Sequence, residues 1–241
     1  MPQYVPAFKY TENALEIRKY LYEYCCEQGY APDLRTVHEA TGFSRREIVQ
    51  AYRQLDLGGM IVVDHTTQNL NLLKVLPFTS FPSQVQLHLD GKFHSYIGCA
   101  MESVACSKMP PFAGKELRLE SFCACCLAPV AVRTRDGEIL GAEPASVLIH
   151  VSVVPWEWNA VNFFTMCDSM NYVLDADHAL TYEKAVARRG VLFTFDQAKR
   201  LVAGVANNRM WDYHWPAGGS NPERTIDTIR SLGVDLSNWG L

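Results

Sequence analysis

The sequence predicts an α+β protein: a winged-helix-like helical module at the N-terminus, then a mixed or antiparallel β-sheet domain flanked by helices. Three observations carry this. Apolar residues recur at helical spacing through residues 12–28 and in two shorter segments that end by residue 59. Strand-like runs separated by turn residues occupy 84–167, and helical patterning returns from residue 176 onward.

In ENALEIRKYLYEYCCEQ, residues 12–28, Leu15, Ile17, Tyr20, Leu21 and Tyr24 fall at helical intervals, and Gly29 stops the pattern. APDLRTVHEATGFSRREIVQAYRQLDLGGMIVV then reads as helix, tight turn, helix, strand. Asp33 starts the first helix, Gly42 turns the chain, Ser44 with Glu47 makes a capping box for the second, and Gly58-Gly59 end it. That order is the winged helix-turn-helix pattern, and it defines a module over residues 1–75. Pro77 and Pro82 mark residues 76–84 as a linker to a domain over 85–241.

Strands are expected at QVQLHL, at KFHSYIGCA after the turn Asp90-Gly91, at KELRLESFC, at APVAVRTR before the turn Asp136-Gly137, at SVLIHVSVV and at AVNFFTMC. ADHALTYEKAVARRG and FDQAKRLVAGVANNRMW carry helical patterning, the second opened by Asp196, where the helix dipole favours negative charge. WPAGGSNPE reads as a loop before a short final helix.

With 241 residues, 48% hydrophobic, 20% charged and a net charge of -4, the chain has the balance of a globular protein with no bias toward polyanions or anionic membranes. The first twenty residues, broken by Pro2 and Pro6, lack the apolar stretch of a secretory signal. The longest apolar run, VLIHVSVV, is strand-sized and too short to cross a bilayer. A cytoplasmic location is expected, and with it eight cysteines held as thiols. Residues 1–75 hold eight Lys or Arg against nine Asp or Glu, a net of -1, whereas DNA binders present several phosphate-neutralising cations on one face. Neither DNA nor a membrane is an expected partner.

The residues able to carry chemistry are Cys99 with Glu102, the cluster Cys123, Cys125 and Cys126, Cys167, and scattered histidines. A single cysteine in an apolar strand is as a rule a small core residue. Cys123 and Cys126 stand at a spacing that can clamp zinc, but a closed zinc site needs four ligands and no second pair exists, so they read as structural, packing thiols. No H-E-x-x-H, Gly-rich phosphate loop or G-x-S-x-G elbow occurs, which removes zinc proteolysis, nucleotide chemistry and serine hydrolysis.

The order of a winged-helix-like module, a proline-bearing linker, an Asp-Gly turn, the strand end Y-x-x-C-A-x-x-S at Tyr96 to Ser103, a cysteine pair before an A-P turn, and F-F-x-x-C-x-x-x-x-Y at Phe163 to Tyr172 resembles the organomercurial, or alkylmercury, lyases. In that family one catalytic cysteine sits in a C-A-x-D segment, matched here by Cys99-Ala100-Met101-Glu102, with glutamate where the family has aspartate. Cys123 before Ala128-Pro129-Val130 takes the place of a structural thiol. The second catalytic cysteine lies five residues before an aromatic that begins a loop running to another aromatic ten further on, matched by Cys167, Tyr172 and Tyr182.

The resemblance implies protonolysis of a carbon–mercury bond at Cys99, Glu102 and Cys167, which are also the mercury ligands, giving a hydrocarbon and Hg2+. The chemistry suits these residues. Mercury is a soft cation for which thiolate sulfur is the natural ligand, and a departing carbanion-like carbon needs a positioned proton donor. No permanent cofactor is implied. Exogenous thiol would release the product, a dithiol acceptor protein is an expected partner, and Met101, Phe163, Phe164, Met166 and Met170 are candidates to line an apolar pocket. Three other readings stay open at this point: a homologue repurposed for another carbon–metal or carbon–heteroatom bond, a metal- or thiol-responsive transcription regulator, and a non-catalytic metal-buffering protein.

Overall fold

The computed structural model describes residues 5, 7–158, 163–205, 210–215, 217–218 and 221–241. A short strand β1 (Phe8–Lys9) leads into α1 (Glu12–Gln28), α2 (Leu34–Thr41) and α3 (Arg45–Leu57). The helix ends are set by the residues that sequence patterning selects. Asp33 accepts the Thr36 backbone N–H at 2.7 Å, Ser44 and Glu47 cap each other, and Gly29 and Gly42 close α1 and α2 in the left-handed conformation. Thr11, the residue that caps α1, carries no sequence signal as strong as these.

Seven strands then alternate with little helix: β2 (Ile61–Val63), β3 (Leu72–Val75), β4 (Phe78–Thr79), β5 (Val85–Leu89), β6 (Lys92–Ile97), a one-turn helix α4 (Ala100–Ser103), β7 (Leu117–Phe122) and β8 (Pro129–Arg135). β9 (Glu138–Glu143) completes an eight-stranded antiparallel sheet in the order β2-β3-β4-β6-β5-β7-β8-β9. Asp90-Gly91 and Asp136-Gly137 make the β5–β6 and β8–β9 turns, all four residues at positive φ, as the paired D-G dipeptides predict. Residues 76–84, read from their prolines as a linker, contain β4, which joins β3 to β6 within this sheet.

The chain then forms β10 (Leu148–Val151), α5 (Phe163–Asp168), β11 (Met170–Val173), α6 (Ala176–Val186), β12 (Val191–Phe193), α7 (Phe195–Val205), β13 (Ala217–Gly218) and α8 (Pro222–Ser231). β10 sits between β11 and β12 in a second antiparallel sheet, and β13 pairs with β1. Here the expected order fails. AVNFFTMC was expected as a strand, but Phe163 to Cys167 are helical; Ala160 to Asn162 lie outside the described residues. Short apolar runs of this length do not separate strand from helix by periodicity. The expected loop from Tyr172 to Tyr182 is also replaced, by the end of β11 and most of α6.

The main core runs from Ile17, Leu21 and Tyr22 of α1 to Val85, Leu87, Leu117 and Leu119 of the large sheet and to Ile149 and Phe193 of the small one. α1 is tied to the C-terminal part by the fully buried Arg18, whose guanidinium donates to the Asp212 carbonyl at 3.0 Å and to that of Tyr213. Among the described residues no helix is long and apolar enough to cross a membrane, and all eight cysteines are unbridged.

Candidate active site

β6 runs out at Ile97, and after Gly98 the chain turns into α4. Cys99 is the residue that caps this helix: its sulfur accepts the Glu102 backbone N–H at 3.4 Å. The C-x-x-E spacing is thus a capping arrangement, and the three-residue step puts the thiol and the carboxyl on one face of a single turn. α4 packs on β6 and β11, and from β11 Met170 places its thioether 3.9 Å from Cys99 Sγ. Ser103 is held by the Ala100 carbonyl at 2.7 Å and hydrogen-bonds the Tyr172 hydroxyl, which fixes α4 against β11.

Cys167, near the end of α5, reaches the same spot. Cys99 Sγ, a Glu102 carboxylate oxygen and Cys167 Sγ all lie within 4.8 Å of one another, the one such cluster of potential metal ligands among the described residues. Both sulfurs are sealed from solvent. Glu102 is partly exposed as a residue, yet its Oε2 is buried with no hydrogen-bond partner among the described residues.

The electrostatics follow from this enclosure. Burial pushes the Glu102 carboxyl up to about 7, while the charge of Lys74 opposes a larger rise. Burial also drives the Cys99 thiol well up, and its bond to Cys167 and the negative charge of Glu102 add to that. A carboxyl that exchanges its proton near neutrality beside two sulfurs is equipped to take a proton from one group and deliver it to another.

The fourth member of the cluster is Lys74 of β3, which sequence patterning counts only as one of eight cations in the first 75 residues. It is 2% exposed. It faces Cys99, Glu102 and Cys167 and donates a hydrogen bond to Cys167; their negative charges raise its pKa against the lowering effect of burial. Register explains its arrival: Lys74 pairs with Thr79 and Thr79 with Tyr96, so β4 carries β3 to within reach of the end of β6. Gly98 leaves the space. A Cβ there would stand 2.3 Å from Glu102 Oε2 and 3.5 Å from Lys74 Nζ.

The other residues singled out in the sequence are placed as follows. Cys123 is buried, donates its N–H to the Ala128 carbonyl at 2.8 Å and packs against Val173 and Ala179, while Ala124 N–H bonds the Tyr172 carbonyl at 2.9 Å. It anchors the β7–β8 turn to β11. Cys126 is exposed, so the packing role expected for both thiols applies to Cys123 alone, and Cys123, Cys125 and Cys126 form no metal cluster. Of the apolar candidates, Met101 and Met170 are buried and Met166 is half-buried, while the side chains of Phe163 and Phe164 lie outside the described residues. A surface cavity of about 390 Å³ beside Glu183, Arg188, Arg189 and Asn238 contains none of the cluster.

No curated protein matches the chain. Among solved structures, the mercury-bound form of MerB2 superposes with a TM-score of 0.60 at 20% identity, covering 79% of this chain and 88% of that one, a likeness of fold. The family model described as alkylmercury lyase matches residues 78–207, more than half of the chain and a span that holds Cys99, Glu102 and Cys167. The chain therefore belongs to the alkylmercury lyase family, the lyases that cleave carbon–mercury bonds.

Proposed function

We propose that Cys99, Glu102 and Cys167 are the catalytic residues of this lyase and the ligands of mercury during its turnover. The observation that carries the reading is the enclosure of two thiol sulfurs and one carboxyl oxygen within 4.8 Å. One thiolate captures the organomercurial and the second closes on the metal, raising electron density on mercury and weakening its bond to carbon. Glu102 accepts the proton that the second cysteine gives up and delivers it to the departing carbon, so the products are a hydrocarbon and a bis-thiolate complex of Hg2+. Solution thiols, or a dithiol acceptor protein, then remove the metal by ligand exchange. Residues 1–75 are read as a winged-helix-like unit whose hairpin extends the sheet, and the cytoplasm, with its supply of thiol, is the fitting compartment.

The direct test is release of benzene from a phenylmercury salt in the presence of excess low-molecular-weight thiol, followed by gas chromatography. Stoichiometric benzene over many turnovers is expected, and an enzyme that binds the compound without releasing hydrocarbon would refute the reading.

Gly98→Ala supplies a milder probe of the same geometry. The added Cβ displaces the tip of a side chain and not backbone, so the fold should survive while the carboxyl moves. A fall in kcat of at least about 10-fold with a small change in melting temperature is expected, since misplacing a reacting group by about 1 Å costs up to about 100-fold. Unchanged kcat would show that the position of Oε2 is immaterial.

A further inference from the structure

We infer that Lys74 is a further catalytic residue, the fixed counter-cation that balances one negative charge as that charge passes between Cys167, Glu102 and the mercury complex. The inference rests on the lyase reading of the three-residue centre, and it brings residues outside the family match, at 78–207, into the chemistry.

A buried ammonium is costly unless an anion faces it, and Lys74, buried, has Glu102 Oε2 across the space left by Gly98, with Cys99 and Cys167 among the groups whose charge acts on it. The centre therefore holds one negative charge to match the ammonium, and the capture step uses it on the Cys167 sulfur, with the proton on Glu102. An organomercurial arrives as R–Hg–SR′. The Cys167 thiolate forms a sulfur–mercury bond, the R′S–Hg bond breaks, and the leaving thiolate departs as thiol with the Glu102 proton. The charge now sits on the Glu102 carboxylate, near Lys74 across the space left by Gly98.

The Cys99 thiol next binds mercury and passes its proton to Glu102, which moves the negative charge onto the three-coordinate complex. When the carbon–mercury bond breaks, its electron pair goes with carbon, which takes the proton from Glu102. The hydrocarbon leaves, neutral Cys99–S–Hg–S–Cys167 remains, and the charge is back on the carboxylate. At every stage one anion faces one ammonium, so no step places an uncompensated charge in a site where it would be weakly screened. The contact from Lys74 to its sulfur gives Cys167, not Cys99, the role of first capture.

Lys74→Met removes the charge at nearly constant volume, and Lys74→Arg keeps it. In single-turnover mixing with a phenylmercury adduct of a chromophoric thiol, capture is read from the absorption of the released thiol and cleavage from benzene. Lys74→Met should lower the capture rate by about 100-fold or more, the scale of losing one preorganised charge partner, with Lys74→Arg restoring at least about a tenth of wild-type rate. Equal capture by wild type and Lys74→Met would overturn the role, and failure of arginine to rescue would assign the loss to packing. If Lys74→Met does not fold, infrared difference spectra of the wild type against Glu102→Gln decide the matter: the Hg2+ complex should show an ionised Glu102, and a protonated one would overturn the inference. Absence of benzene from the wild type would instead defeat the lyase reading itself.

Discussion

Cys99→Ala and Cys167→Ala are each expected to lower organomercurial cleavage by at least about 1,000-fold, the scale seen when one member of a cooperating catalytic unit is removed. Mercury bound to one sulfur has a single soft ligand, and oxygen from Glu102 or water is a poor replacement for the second. The two variants should then part company. Without Cys167, the sulfur that Lys74 contacts is gone, so retention of phenylmercury after gel filtration should fall together with cleavage. Without Cys99, capture at Cys167 should persist while benzene release stops. Both side chains are small and buried, so truncation costs little packing and the melting temperature should stay within a few degrees of wild type. Full cleavage by either variant would remove that cysteine from the site.

Part of this centre is visible in the sequence because its geometry is local. Cys99 and Glu102 are joined by a single helical turn, and a three-residue spacing is enough to place them on one face. Cys167 is 68 residues further on and was found by resemblance, since no spacing rule links a sulfur on α5 to one that caps α4. Lys74 was missed. It lies in NLLKV at the end of β3, where a lysine in a short strand ordinarily points to solvent, and its burial depends on the pairing of β3 with β4 and of β4 with β6, which no local pattern announces. The helix caps at Asp33, Ser44 and Gly42 and the two D-G hairpins were legible for the reason Cys99–Glu102 was, each being decided within four residues. α5 was misread because its apolar run is too short for period to decide, and the neighbours that settle it, β11 and the site itself, are tertiary.

Glu102→Gln should lower cleavage by about 1,000-fold at neutral pH, within the range attributed to a positioned proton donor, and should also remove a pH dependence of stability. The amide keeps the shape of the carboxyl but neither accepts the Cys99 proton nor supplies one to carbon. Glu102→Asp keeps the proton and withdraws it by one methylene from the two sulfurs, so an intermediate loss of about 10-fold is expected, the distance effect without the chemical one. The stability effect has a definite sign. The folded carboxyl titrates near 7 and the unfolded one near its ordinary 4.5, so folding takes up a proton between these values. The contribution is present in full below about pH 4.5 and is lost as pH rises through about 7. In urea denaturation the wild type should therefore lose roughly 2–3 kcal/mol relative to Glu102→Gln between about pH 5 and about pH 8, the size that follows from 1.36 kcal/mol for each pH unit between the two titrations. Parallel stability curves for the two proteins would mean that Glu102 is ionised throughout, and with it the neutral carboxyl needed for proton delivery would be gone. A glutamine variant that cleaves at the wild-type rate would send the proton to carbon from elsewhere, from a thiol or from water, and would leave Glu102 as a ligand alone.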